Sequence, residues 1–415
     1  MDGAAHAIGK VTMGEAESPY AWVRLVTSVV IGTVGSVGMW AVVVTLPAVQ
    51  AEFAVARADA SLPYTLAMIG FGLGTVVVGR LVDRYGIVLP LIGAALTLGL
   101  AFIASGFAPS LVTFALANLA IGAGSAATFA PLLADISHWF TRRLGIAVAI
   151  CASGNYLGGA AWPPVVQRLV DAGGWRHAQI VVGAVVIAAM LPLLAVLRRK
   201  VSPQQGQGAS GAGDAKAPLG LSPAALFTLL CIAGVGCCVA MAMPQVHIVA
   251  YCGDLGYGPA RGAEMLSLML GFGIVSRVAS GFVADRIGGI ATLLIGSVLQ
   301  GVALFLYLLF DGLASLYVIS ALFGLFQGGI VPMYAVIVRT YFPPHLTGTL
   351  VGFVIMSTIA GMALGGWLSG AIFDATGSYW QAFAHGLAWN LLNGAIAAFL
   401  LMRQVRHHRL RHAPA

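Results

Sequence analysis

Gly79-Arg80-Leu81-Val82-Asp83-Arg84-Tyr85-Gly86 closes one long apolar run, and Gly281-Phe282-Val283-Ala284-Asp285-Arg286-Ile287-Gly288 closes another. Both octets read G-x-x-x-D-R-x-G and lie 202 positions apart, each a charged island in a very apolar chain. A repeat with a period near half of 415 residues makes the protein two copies of one unit. The correspondence continues elsewhere. Gly122 matches Gly324 and Phe140 matches Phe342 at an offset of 202, and Asp171-Ala172-Gly173-Gly174 matches Asp374-Ala375-Thr376-Gly377 at 203.

The chain is 59% hydrophobic and only 8% charged, whereas a soluble domain carries about 25% charged residues. A water-soluble fold has no way to cover that much apolar surface, so the expected solvent for most of the chain is lipid. A spanning helix needs about 20 apolar residues, and twelve such runs are present. They lie near 22–46, 61–82, 87–107, 110–134, 144–166 and 177–197, then near 223–248, 262–284, 289–310, 313–338, 347–372 and 380–402. The Gly-, Gln- and Ser-rich stretch 201–220 reads as a cytoplasmic linker between halves 21–200 and 221–403. Tails at 1–20 and 404–415 flank them, the second one basic, and the first apolar run is too long for a cleaved signal peptide.

The net charge of +7 is scattered through short loops, which speaks against a nucleic-acid partner. Its placement instead gives the topology. With both termini in the cytoplasm, 16 of the 21 Lys and Arg fall inside, while Arg57, Arg168, Arg176 and Arg261 fall outside. Arg277 is left over, within the eighth run. A bacterial inner membrane is the expected location. The five cysteines show no metal-ligand spacing and imply no disulfide. No catalytic constellation is present, so the chain reads as a non-enzyme with neither metal nor cofactor.

The octets resemble the cytoplasmic loop between helices 2 and 3 of the major facilitator superfamily, with its echo between helices 8 and 9. The resemblance implies an all-α membrane protein, with twelve transmembrane helices in two pseudo-symmetric six-helix bundles. It also implies that the loop is a conformation-dependent latch, here Gly79, Asp83, Arg84, Gly86, Asp285 and Arg286. The plainer reading of the same residues is a solvated turn that fixes topology. Parallel six-helix repeats place a substrate site near midplane at their interface.

Two further windows resemble the monocarboxylate transporter and oxalate–formate antiporter branch. One is His138-Trp139-Phe140-Thr141-Arg142-Arg143-Leu144-Gly145-Ile146-Ala147, leading into Ala152-Ser153-Gly154-Asn155-Tyr156-Leu157-Gly158-Gly159. The other runs from Pro244-Gln245-Val246-His247 through Asp254-Leu255-Gly256 to Arg277, where that branch has a substrate-facing arginine in helix 8. Three departures matter. Gly273 stands where proton-coupled members often carry an aspartate, 347–372 holds no Lys or Arg, and Asn118 stands where many members have an arginine.

The expectation is therefore a secondary active transporter of small organic anions, monocarboxylates foremost. It works by alternating access as a monomer in the bilayer, with proton symport ahead of exchange. Arg277 is the expected carboxylate anchor. Asn118, Tyr334, His247, Tyr64, Tyr156 and Asn393 are the other substrate-contact candidates, each also open to the plainer role of a hydrogen bond between helices. An anion exchanger, a drug/proton antiporter with a structural Arg277, and a non-transporting receptor or scaffold are the alternatives.

Overall fold

The computed structural model describes residues 17–137, 139–140, 143–198 and 218–411. Most of the expected linker 201–220, nearly all of the 1–20 tail, residues 412–415 and the Asp83 side chain lie outside it.

The chain is a succession of helices, with no strand among the described residues. The first four spans are α1 (Pro19–Phe53), α2 (Arg57–Val82, with its helix continuing to Tyr85), α3 (Val88–Gly106) and α4 (Leu111–Ser137). The second half holds α7 (Pro223–Asp254), α8 (Pro259–Ile287), α9 (Gly289–Leu309) and α10 (Leu313–Tyr341). It ends with α11 (Pro344–Thr376) and α12 (Tyr379–Arg411).

At the end of the first half, Leu144–Val196 runs as 53 nearly continuous helical residues. At 1.5 Å per residue that is about 80 Å, far more than one crossing of a core about 30 Å thick. Gly174 divides it with φ 80 and ψ 168, a backbone closed to L side chains, which gives α5 (144–173) and α6 (175–196). The sequence predicts a loop over 167–176, because Gln167, Arg168 and Asp171 are polar. The helix continues through them, and the Gln167 amide donates to the Asp171 carboxylate one turn on, at 2.8 Å. Hydropathy marks where lipid ends, whereas backbone hydrogen bonding decides where a helix ends.

The repeat is visible in the packing. A Cβ on Gly122 (α4) would overlap the carbonyl of Ala67 (α2), and one on Gly324 (α10) would overlap that of Met269 (α8). The two carbonyls are themselves 202 residues apart. Small residues at these points let helices approach backbone to backbone, which substitutes for the hydrophobic drive that lipid removes. Gly86 and Gly288, which close the two octets, take φ 77 and φ 85. Helices α4 and α10 are also interrupted at equivalent places, after Ala126 and after Gln327.

Spans α1–α6 and α7–α12 form the two six-helix bundles, in contact through α2 with α11 and α5 with α8. An even number of crossings puts both chain ends on one side, called here the terminal face; the opposite side is the far face. Toward the far face one apolar core runs through both halves, from Trp40, Leu46 and Tyr64 to Val246, Tyr251 and Phe383. Toward the terminal face there are two cores, one confined to each half. Leu73, Leu100, Phe282 and Phe305 are exposed on the outside of the bundles, as expected where the surrounding medium is hydrocarbon.

Candidate functional site

Arg277 sits within α8, eight residues before Asp285, about 12 Å along the helix from the terminal-face loop. A guanidinium at that depth costs about 2.5–3.5 kcal/mol on insertion scales. Its carbon lies 4.2 Å from the centroid of the Tyr156 ring, which α5 presents from the other half. Its Nε donates to the Gly328 carbonyl at 3.4 Å, a long contact at the interruption in α10. Ser276 holds that interruption by accepting from the Gly329 amide at 3.1 Å. Among the described residues no carboxylate forms an ion pair with Arg277, and the side chain is partly exposed.

Gly273 lies one turn before Arg277, and a Cβ there would overlap the Tyr156 ring. The ring occupies the space that an acidic side chain would need, so the arginine rests on an aromatic face with its charge uncompensated by any acid on α8.

The structure does not gather the other sequence candidates around this arginine. Asn118 is buried and donates to Phe114 O on its own helix at 2.9 Å. Tyr334 donates to Asn393 Oδ1 at 3.0 Å, and Asn393 donates to Ser297 Oγ at 2.8 Å, all inside the C-terminal half. His247 is fully buried, with Nε2 2.8 Å from the Gly366 carbonyl. The Tyr64 ring lies against Gly366 from the other half, and its hydroxyl is buried without a partner. Of the six, only Tyr156 touches Arg277.

A second cluster, which sequence reasoning missed, joins the halves at the far face. The amides of Arg57 and Ala58, at the start of α2, donate to the two oxygens of Asp374 at 2.8 and 2.6 Å. Arg57 Nη2 donates to Asp254 at 3.1 Å, and Nη1 donates to the Tyr379 hydroxyl. The Phe373 ring lies 4.8 Å from the same guanidinium. Thr65 then bonds the Ala363 carbonyl at 3.2 Å, and Ala58 and Ser61 close against Gly370. These are the only hydrogen bonds between the halves among the described residues, and all lie toward the far face.

At the terminal face the hydrogen bonds between described residues stay within each half. Arg24 grips Asp135 through two 2.7 Å bonds, and Arg403 reaches the Gly220 carbonyl at 3.1 Å. Arg84, Asp285 and Arg286 are exposed, and neither Asp285 nor Arg286 forms a hydrogen bond or ion pair with another described residue. A Cβ on Gly79, Gly281 or Gly352 would meet nothing. Among the described residues, the halves are joined at the far face and stand apart at the terminal face.

This chain belongs to the Major Facilitator Superfamily, a family of membrane transporters, which it matches over residues 29–317 and 254–414. A monocarboxylate transporter 13 from Bos taurus is 31% identical over 73% of this chain and 71% of its own. The Rattus norvegicus protein of the same name is 30% identical over 81% and 78%. Among solved structures, a bacterial homologue of the human lysosomal transporter Spinster, inward-facing and occupied, superposes with a TM-score of 0.73. It does so over 96% of this chain and 100% of its own at 15% identity, a likeness of fold. Within the superfamily the chain resembles the monocarboxylate branch, and its function is transport, not catalysis.

Proposed function

We propose that the chain carries small monocarboxylates across a membrane by alternating access, with Arg277 as the anchor of the carboxylate. The observation that carries this is a partly exposed guanidinium in mid-helix, beside the interface of the halves, with no acid among the described residues to neutralise it. A carboxylate can take two of its N–H groups side by side, a geometry that lysine lacks. The printed names of the relatives favour the same substrate class. Tyr156 completes the site, while Asn118, Tyr334, Asn393, His247 and Tyr64 reach a substrate only by exchanging their present surroundings.

In this reading the terminal face is cytoplasmic and the membrane is a bacterial inner membrane. The units 21–200 and 221–403 rock about the site, with 201–220 as their tether and the monomer as the working unit. The octets, with Gly79, Asp83, Arg84, Gly86, Asp285 and Arg286, close the cytoplasmic mouth in the opposite state. Carrying an anion inward against a negative-inside potential costs about 2.3 kcal/mol per 100 mV, which a cotransported proton or exchange for another anion removes. Proton symport is favoured over exchange, with the substrate–Arg277 pair or His247 taking the proton. Uptake driven by a pH gradient with no internal anion separates the two.

Uptake of a carboxylate panel into vesicles tests the anchor. Arg277→Ala abolishes transport while the protein still inserts, and Arg277→Lys weakens or abolishes it. Near wild-type rates in Arg277→Ala would make the arginine structural, held by Tyr156 and Gly328, and would move the drug-antiporter reading ahead.

A further inference from the structure

The far face of the C-terminal half holds a cavity of about 420 Å³, away from Arg277. It lies where α7 ends, where α9 turns into α10, and where α11 turns into α12. Its walls include Tyr251, Tyr307, Tyr379 and Trp380, and two carboxylates, Asp254 and Asp311, stand in its lining. We propose that this cavity is a binding site for a small organic ammonium group, such as a quaternary amine.

The charges around it favour a cation. Asp254 and Asp311 both line the cavity, and no Lys or Arg stands among its lining residues. Asp374 uses both oxygens on the backbone amides of α2, and Asp254 takes Arg57. Among the described residues the exposed Asp311 carboxylate forms no hydrogen bond or ion pair, and its backbone oxygen accepts from the Tyr257 hydroxyl at 3.2 Å. An anionic substrate is repelled by this arrangement. A metal ion finds too few ligands, since no group of three His, Cys, Asp or Glu comes together among the described residues.

The walls select among cations. Ring faces attract an alkylated ammonium through their quadrupole, and a carboxylate at the edge adds charge. Tyr251, Tyr379 and Phe383 are fixed by edge-to-face packing, with centroids 4.9 and 5.5 Å from Tyr251. Trp380, in the same lining, is 57% exposed. A strongly hydrated inorganic cation gains little from such walls, whereas a methylated ammonium sheds water readily.

Such a group has two sources, a free organic cation or the headgroup of a choline lipid, because the cavity lies where these helices turn back at the far face. Calorimetric titration of choline into the full-length protein tests the site, in nanodiscs of phosphatidylglycerol and in nanodiscs of phosphatidylcholine. Binding in both, weakened at least tenfold by Asp311→Asn and severalfold by Trp380→Ala, assigns a free-cation site. Binding in phosphatidylglycerol alone, with the same loss in the variants, assigns a lipid headgroup site. Carboxylate uptake that persists in Asp311→Asn shows that the variant folds, and it keeps this site separate from Arg277. Absence of choline binding to the wild-type protein in phosphatidylglycerol, or equal binding by both variants, overturns the proposal.

Discussion

The two faces of this molecule are built from the same repeated unit and behave oppositely. At the far face the halves share one core, and α2 of the first half is held by α7, α11 and α12 of the second. At the terminal face each half keeps its own core, and the ion pair Arg24–Asp135 stays within one half. Sequence repetition therefore does not make the ends equivalent. Bonds within a half occur at both faces, whereas the bonds between halves gather at the far face among the described residues.

Removing the central guanidinium of the far-face cluster should break this asymmetry most. Arg57→Ala deletes its ion pair and its bond to Tyr379, although Asp254 is 41% exposed and its share is small. A total near 2 kcal/mol corresponds to a roughly 30-fold shift away from the far-closed state. A cysteine at Ser61, in a background lacking the five natural cysteines, should then react with an impermeant reagent that spares it otherwise. Protection as complete as in the parent would mean that the cluster does not hold the face.

Packing should matter somewhat less. In Gly370→Val the added atoms meet Ser61 and Ala58, and overpacking of about 1–3 kcal/mol should raise labelling at the far face about tenfold. Gly352→Val adds atoms where nothing stands within 4 Å and should leave labelling unchanged. Equal effects of the two would erase the contrast between faces.

The contact beside the proposed substrate site is smaller again. Tyr156→Phe keeps a ring under Arg277 and should transport normally. Tyr156→Leu loses a cation–π contact of about 0.5–1 kcal/mol, raising KM about two- to fivefold. A defect in the Phe variant would instead assign the hydroxyl a role.

At the terminal face Asp285→Asn should change the resting far-closed population least, because its carboxylate has no partner among the described residues. Asp83→Ala should slow transport far more than it weakens substrate binding. A loss confined to substrate affinity would count against a latch.

The membrane class, the twelve crossings and the twofold repeat were legible because each is written in consecutive residues: apolar runs, glycines and octets. Arg277 was legible because a charge in an apolar run is conspicuous. The partners of buried polar groups were not. Tyr334 finds Asn393 59 residues away, and His247 finds Gly366 119 away, pairings that no local pattern encodes. Arg57 was counted only as an outer charge, since its partners stand 197 and 322 residues downstream. One local sign did exist. The residue before α2 is Ala56, which has no side chain to cap the first amides of the helix. An uncapped start to a 29-residue helix calls for an acceptor from elsewhere.

That acceptor is Asp374, and the division of labour at this joint has an evolutionary consequence. The donor side is main chain, so it survives any replacement of the side chains at 57 and 58 except proline, which lacks the amide. The acceptor side is one carboxylate, which a single codon change can shorten, lengthen or neutralise. Lineages of this carrier can thus retune how firmly the far face shuts by editing position 374 alone, while the two amides it grips stay in place whatever side chains stand at 57 and 58.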